Sequence, residues 1–153
     1  GSRQRLLLQV ATILHDCGKF VSLSNSAESA YNIIMSSEII GLTHLERQIV
    51  ALTVLFNSIP LCDYGELDVD ITKEDYLTAV KLSAILRLSN ALDQSHKQKF
   101  KNIKISLREK KMIISVESFE DISLEQTLFA SKTSYFENVF SIKPVLREKK
   151  VMM

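Results

Sequence analysis

The sequence contains few residues that break helices and few that bind metals or form cross-links. Its 153 residues include four Gly, two Pro, two Cys, three His and no Trp. Such sparse helix breakers leave room for helices of several turns, which favours a mostly helical fold. The hydrophobic content of 46% and the charged content of 24% are ordinary for a globular chain and argue against intrinsic disorder.

The two cysteines, Cys17 and Cys62, cannot make a disulfide framework, and they suit a reducing compartment. We find neither a signal-peptide pattern nor an apolar run of about 18 residues. We therefore expect a cytoplasmic protein with no membrane partner. The helical pattern already runs at Arg3 with no N-cap before it, and we expect the chain to be a piece of a longer protein.

The charges divide the chain into an acidic and a basic part. Residues 1–96 contain 7 Lys or Arg against 11 Asp or Glu, whereas residues 97–153 contain 12 against 7. A basic segment of this kind indicates a surface that meets an anionic partner. The alternative is that lysines on an edge strand keep it soluble and unpaired.

Apolar residues at helical spacing predict four helices in the first hundred residues. The first covers residues 3–17, with Gly18 as a left-handed C-cap. The second runs from about residue 30 to 37. The third starts with the capping box of Thr43 and Glu46, and the fourth follows an acidic loop and is capped by Thr72.

The period of the pattern changes to two after Phe100, which indicates strands. Residues 103–107 and 112–116 alternate around a short polar turn and predict a β-hairpin with one buried face. Residues 121–140 predict a helix that covers this hairpin, and residues 142–147 predict an edge strand that contains Pro144.

The pattern predicts an α+β fold that is mostly α. It has a helical domain at residues 1–98 and a small ββαβ subdomain at residues 99–153.

The pair His15-Asp16 near the end of the first helix is the clearest candidate for metal chemistry, because adjacent helical side chains can both face one crevice. A hydrolytic site needs further ligands and an open position for water. The other two histidines, His44 and His96, lie at a helix start and in a linker, where they suit surface roles. The alternative for His15 is a structural histidine whose ring nitrogens bond to nearby polar groups.

Several segments in order resemble the HD-type helical domain of the exopolyphosphatase / guanosine pentaphosphate phosphatase family. They include Leu-His-Asp-Cys-Gly-Lys-Phe at residues 14–20, Ser-Ala-Tyr at 29–31 and Glu-Arg-Gln-Ile-Val-Ala at 46–51. Arg-Leu-Ser-Asn-Ala-Leu-Asp at 87–93 and Phe-Glu-Asn-Val-Phe at 136–140 follow. The resemblance spans nearly the whole chain, and its specificity comes from the ordered occurrence of the segments.

The resemblance implies that an N-terminal, actin-like phosphatase domain of the same protein performs the phosphoanhydride hydrolysis, with Mg as its metal. This C-terminal part would help to form a polyphosphate channel and a homodimer. None of the actin-like phosphate loops occurs in the sequence. We therefore expect no catalytic residue and no cofactor in this part, and no hydrolysis of polyphosphate by this chain alone.

The sequence departs from the HD pattern at three positions, where Glu28 and Asn57 replace histidines and Asn90 replaces an aspartate. Asp93 lies one turn after Asn90 and could still bind a hard cation together with Glu28. A residual divalent-metal site is therefore an alternative. It comprises the HD-site positions His15, Asp16, Glu28, Asn57, Asn90 and Asp93.

Our leading hypothesis is that a run of cations after the fourth helix binds a linear polyanion, polyphosphate and not nucleic acid. Neutralisation of phosphates by such a run should depend strongly on salt. Two alternatives stay open: a free-standing HD metal phosphohydrolase that acts on nucleotides through His15, Asp16, Glu28 and Asp93, and a pure dimerisation module. The predicted polyanion-binding residues are Lys97, Lys99, Lys101, Lys104, Arg108, Lys110 and Lys111.

Overall fold

The computed structural model describes residues 1–150, except for the side chain of Lys150. The chain divides into two compact units, Gly1–Leu86 and a second that begins at Arg87. The fold is α+β and mostly α, as the sequence predicts. The domain boundary predicted between residues 98 and 99 stays a prediction.

The four predicted helices are all present. They are α1 (Ser2–Leu14), α2 (Ser26–Ser36), α3 (His44–Ser58) and α4 (Lys73–Leu92), which begins in the first unit and ends in the second. In the first unit α3 contacts both α1 and α2. Many apolar side chains on these helices are buried, as their helical spacing predicts, although Ile13 of α1 and Leu77 of α4 stay exposed. The most buried of them are Ala11, Ala30, Ile34, Val50, Leu52 and Phe56.

The predicted capping box starts α3. The Glu46 amide donates to Thr43 Oγ1 at 3.2 Å, and the Thr43 amide donates to Glu46 Oε2 at 2.9 Å. Arg3 of α1 donates to both carboxylate oxygens of Glu46, at 2.5 and 2.7 Å. The hydrogen bond from Arg3, followed by that from the Thr43 amide, lowers the pKa of Glu46 to about 2. The start of α3 is therefore fixed to the start of α1.

The prediction that Gly18 is a left-handed C-cap is wrong. Helix α1 ends at Leu14, and Gly18 lies in a 3-10 turn, Cys17–Phe20, that contacts α2. A Cβ atom on Gly18 would lie 1.8 Å from the carbonyl oxygen of Ser26. Glycine is needed here because the turn passes directly against the backbone of α2.

The second unit contains a three-stranded sheet in the order β1 (Lys101–Arg108), β2 (Lys111–Ser118) and β3 (Lys143–Lys150). Strands β1 and β2 form the predicted antiparallel hairpin, and β3 pairs parallel with β2. The predicted third strand is thus confirmed at an edge of the sheet. A parallel pair requires a long crossover connection, which the helices between β2 and β3 supply.

The crossover contains two helices, not the single helix predicted over residues 121–140. They are α5 (Ser123–Ser131) and α6 (Ser134–Phe140), and both contact β3. The hydroxyl groups of Ser131 and Thr133 donate to the carbonyls of Leu128 and Ala130. These bonds satisfy carbonyls in the last turn of α5, where helical partners are lacking.

The prediction of one buried face is right for β2 and wrong for β1. Ile114 and Val116 of β2 are buried, whereas every residue of β1 is exposed. Ile105 and Leu107 lie opposite Ile114 and Met112 but keep 62% and 67% of their surface exposed. The apolar positions of β1 therefore face solvent at the free edge of the sheet.

Candidate polyanion-binding face

The strand register places basic residues side by side on one face of the sheet. Arg108 of β1 lies opposite Lys111 of β2, and Lys111 lies opposite Lys143 of β3. Residues directly opposite each other in neighbouring strands project from the same face. These three cations therefore form a row across the sheet, about 10 Å long given the usual strand spacing.

Two further rows on the same face each contain a cation at both ends. Lys104 and Arg147 flank Ser115, and Lys101 and Lys149 flank Glu117. We call the seven basic residues of these rows the cationic face. It consists of Lys101, Lys104, Arg108, Lys111, Lys143, Arg147 and Lys149.

The cationic face is open to solvent, and its charges are not neutralised by the protein. All seven of its basic residues are exposed, and none of them forms an ion pair within the described residues. Glu117 is the only acidic residue in the three rows, and it accepts a hydrogen bond of 2.6 Å from Asn102. The positive charge of the face is therefore available to an external anion.

The arrangement favours an extended anion over a single compact one. In the row Arg108–Lys111–Lys143 neighbouring cations about 5 Å apart repel each other, and an anion that runs along the row relieves both repulsions at once. The rows contain no aromatic residue on which a nucleic-acid base could stack. The face can thus hold a chain of phosphates by charge alone, without reading bases.

The structure separates the seven predicted polyanion-binding residues into two groups. Four of them, Lys101, Lys104, Arg108 and Lys111, belong to the cationic face. Lys97 lies in the segment that precedes β1, and Lys110 lies in the hairpin turn, so neither is part of the three rows.

Lys99 already has a role inside the second unit. Its ammonium group lies 3.1 Å from Oε1 of Glu125, and both side chains are largely buried, with 13% and 1% of their surface exposed. Burial raises the pKa of Glu125, but the hydrogen bonds from Lys99, its own backbone and Ser95 lower it more. Lys99 is therefore bound to a carboxylate and is not open to an external anion as the other cations are.

Sequence reasoning missed the three cations of β3. Lys143, Arg147 and Lys149 join the cationic face only because β3 runs parallel to β2 in a fixed register. The alternation of these residues in the sequence was a usable signal, since they occupy odd positions of one strand. That alternation does not indicate which strand β3 pairs with.

The predicted metal pair is satisfied by protein groups. His15 Nδ1 donates to the carbonyl of Thr12 at 2.7 Å, and its Nε2 lies 3.5 Å from Asp16 Oδ1. The same Asp16 oxygen lies 2.9 Å from the ammonium group of Lys19. These contacts agree with the structural role for His15, which was one of the two alternatives in the sequence. The ammonium group of Lys19 neutralises the Asp16 carboxylate.

The other HD-site positions show no ligand cluster. Glu28 is exposed in the first turn of α2, and Asn57 lies near the end of α3. In the second unit Asn90 lies in α4, and Asp93 Oδ1 accepts from the amide of Gln98 at 2.9 Å. Within residues 1–150 no three His, Cys, Asp or Glu side chains could hold a metal ion together. The residual divalent-metal site at these positions stays a prediction.

Residues 1–134 match one protein family, described as Ppx/GppA phosphatase, domain III. No curated protein matches the chain. The family match covers more than half of the sequence. The chain belongs to the Ppx/GppA phosphatase family.

As domain III of a Ppx/GppA phosphatase, the chain is an accessory C-terminal domain, and its family implies an N-terminal partner domain in the same protein. The resemblance seen in the sequence is thereby confirmed at the level of the family. The match ends at residue 134, so α6 and β3 lie wholly or almost wholly beyond it. The described helices of this Ppx/GppA domain include none that is long and apolar enough to cross a membrane.

Proposed function

We propose that this Ppx/GppA domain binds the polyphosphate chain on its cationic face and presents it to the N-terminal domain of the same protein. Hydrolysis of the phosphoanhydride bond takes place in that actin-like domain, which also carries the Mg. The C-terminal domain contributes affinity for a linear polyanion and contributes to a homodimer. We place the protein in the cytoplasm, in keeping with its two free cysteines.

The observation that carries this proposal is the convergence of seven exposed cations from three strands on one face of the sheet. Polyphosphate has one negative charge or more for each phosphate and no base to recognise, so a face that offers rows of charge without aromatic residues suits it. The opposite face of the sheet contains the buried Ile114 and Val116. The cationic face contains one uncharged row, Ser106–Ile113–Val145, between its first two rows of cations, and Ile113 is buried there.

The two other hypotheses from the sequence gain less support. A free-standing metal phosphohydrolase would need a metal-binding donor set, and Asp16 is paired with Lys19 instead. A pure dimerisation module leaves the seven cations without a role. The hypothesis of an accessory, polyphosphate-binding domain gives the seven cations a role and needs no metal at Asp16.

A binding titration tests the proposal. We expect the intact chain to bind polyphosphate at low salt, with an affinity that falls steeply as the salt concentration rises. The double variant Lys104→Glu/Arg147→Glu, which reverses both cations of the middle row, should bind at least about tenfold more weakly, a loss of about 1.4 kcal/mol.

The matched control is Lys73→Glu/Lys81→Glu, which changes the net charge equally at two exposed positions of α4. It should bind polyphosphate almost as tightly as the intact chain does. Equal losses in the two double variants would mean that only net charge matters, and they would remove the cationic face as the binding site.

A further inference from the structure

The free edge of the sheet carries a second, chemically different surface. Strand β1 is the terminal strand in the order β1-β2-β3, so alternate residues along it direct their amide and carbonyl groups away from β2. The three apolar side chains on one face of the strand stay largely exposed. They are Ile103 at 51%, Ile105 at 62% and Leu107 at 67%.

The two edges of the sheet differ in what they offer. Strand β3 contains Pro144, which lacks an amide donor, and both α5 and α6 contact this strand. Strand β1 has neither feature: it contains no proline, and all eight of its residues are exposed. The basic side chains and the bulge of β1 disfavour pairing with an uncharged or basic strand, so the edge favours an added strand whose carboxylates can pair with Lys104 and Arg108.

The side chains of β1 define what an added strand must carry. On one face it would lie beside Ile103, Ile105 and Leu107, and on the other beside Lys104 and Arg108. A segment that alternates apolar and acidic residues satisfies both faces at once. A bulge between Lys101 and Lys104 limits regular pairing to the rest of the strand.

We propose that β1 is a docking site for an extended segment of another polypeptide in which acidic residues alternate with apolar ones. The segment adds to the sheet as a fourth strand. Its backbone pairs with the free edge, its apolar side chains cover Ile103, Ile105 and Leu107, and its carboxylates pair with Lys104 and Arg108. This surface shares Lys104 and Arg108 with the cationic face and differs from it in its apolar half, which does not recognise phosphate.

A peptide of eight residues, the length of β1, that alternates Glu with Val provides the probe. We expect it to bind the intact chain and to protect the amides of β1 from hydrogen exchange. A peptide of the same composition with its Glu and Val residues in two blocks should bind at least about tenfold more weakly, because its charge is equal but its alternation is lost.

Two variants test the two faces of the strand. Ile105→Ser should weaken binding of the alternating peptide at least about fivefold while polyphosphate binding is unchanged, whereas the control Ile13→Ser, at an exposed apolar residue of α1, should change neither. The variant Lys104→Glu/Arg108→Glu should instead bind a peptide that alternates Lys with Val. If that variant lost polyphosphate binding but still preferred the Glu-Val peptide to the Lys-Val peptide, the docking site would be contradicted while the proposed function stood.

Three results would overturn the docking site. Equal binding of the alternating and the block peptide would reduce the interaction to net charge. No protection of the β1 amides in the complex would place the peptide elsewhere, whatever the variants do. A concentration-dependent mass that Ile105→Ser abolishes would show that a second copy of this chain, not an acidic segment, covers β1.

Discussion

Single residues determine the local geometry at two places in this domain, and in both the reason is close contact in the interior. Gly18 passes against the backbone of α2 at a distance that admits no side chain. Lys99 and Glu125 form an ion pair with little access to water. Each makes a sharp prediction for the stability of the chain.

Substitution of Gly18 by Ala should destabilise the fold strongly. The new Cβ would overlap the Ser26 carbonyl oxygen, and neither backbone can yield without loss of packing between the 3-10 turn and α2. We expect a loss of at least about 3 kcal/mol in urea unfolding. Gly65→Ala is the control, since nothing lies within 4 Å of its Cβ position; a similar loss there would contradict the account.

Replacement of Lys99 by Met should also destabilise the chain, because it leaves the Glu125 carboxylate buried without its cation. The expected cost is about 3–5 kcal/mol. The double variant Lys99→Met/Glu125→Leu should recover most of it, since an apolar pair of similar volume removes both charges. Urea unfolding of the three proteins measures the difference, and a double variant as unstable as the single one would refute the role given to the pair.

At the scale of elements, patterns in the sequence predicted most of the fold, since they depend on local chemistry. The capping box at Thr43 and Glu46 started α3 as expected, and the alternation after Phe100 gave the hairpin. The break between α5 and α6 was missed because the apolar positions of residues 121–140 keep their helical spacing across it.

The exposure of β1 and the burial of Lys99 could not be predicted because they are set by tertiary contacts. Alternating apolar residues indicate which side chains share a face, but not whether any other element covers that face. In the sequence Lys99 is one of several basic residues in a run, and only the fold shows that Glu125 of α5 lies beside it. Four of the seven predicted cations nevertheless belong to the cationic face.

The start of α3 gives the domain a stability that depends on pH. The pKa of Glu46 is about 2, below the ordinary value for glutamate, because its ionised form accepts hydrogen bonds from Arg3 and Thr43. Its contribution is therefore fully present above the pKa of the unfolded chain, about 4.3, and is lost as the pH falls towards 2.

Glu46→Gln should accordingly lower the melting temperature at pH 7, and the difference from the intact chain should shrink between pH 4.5 and pH 2. Circular dichroism melting curves over this range measure it. Glu74→Gln, at an exposed residue in the first turn of α4, is the control. A difference between Glu46→Gln and the intact chain that stays constant down to pH 2 would contradict the pairing of Glu46 with Arg3.

At the scale of the whole molecule, the domain combines a helical unit with a small sheet whose surfaces differ in chemistry. One face of the sheet is buried on β2, and the other carries rows of cations. The division of charge along the sequence, acidic before residue 97 and basic after it, thus corresponds in part to a physical surface.

Salt dependence distinguishes binding by several cations from binding by one. If polyphosphate neutralises most of the seven cations, a plot of log affinity against log salt concentration should have a slope of about −3 or steeper, by analogy with single-stranded nucleic acid. Isothermal titration at a series of salt concentrations measures the slope. A slope near −1 would mean that a single contact accounts for the affinity, and the rows would have no function together.

The most direct measurement is an NMR titration of the isotopically labelled chain with polyphosphate. The account predicts that shift changes concentrate on the residues of the cationic face, including Lys143, Arg147 and Lys149 of β3, and that residues of α1 to α3 change little. Shift changes concentrated in the first unit, or none on the sheet at saturating polyphosphate, would contradict it.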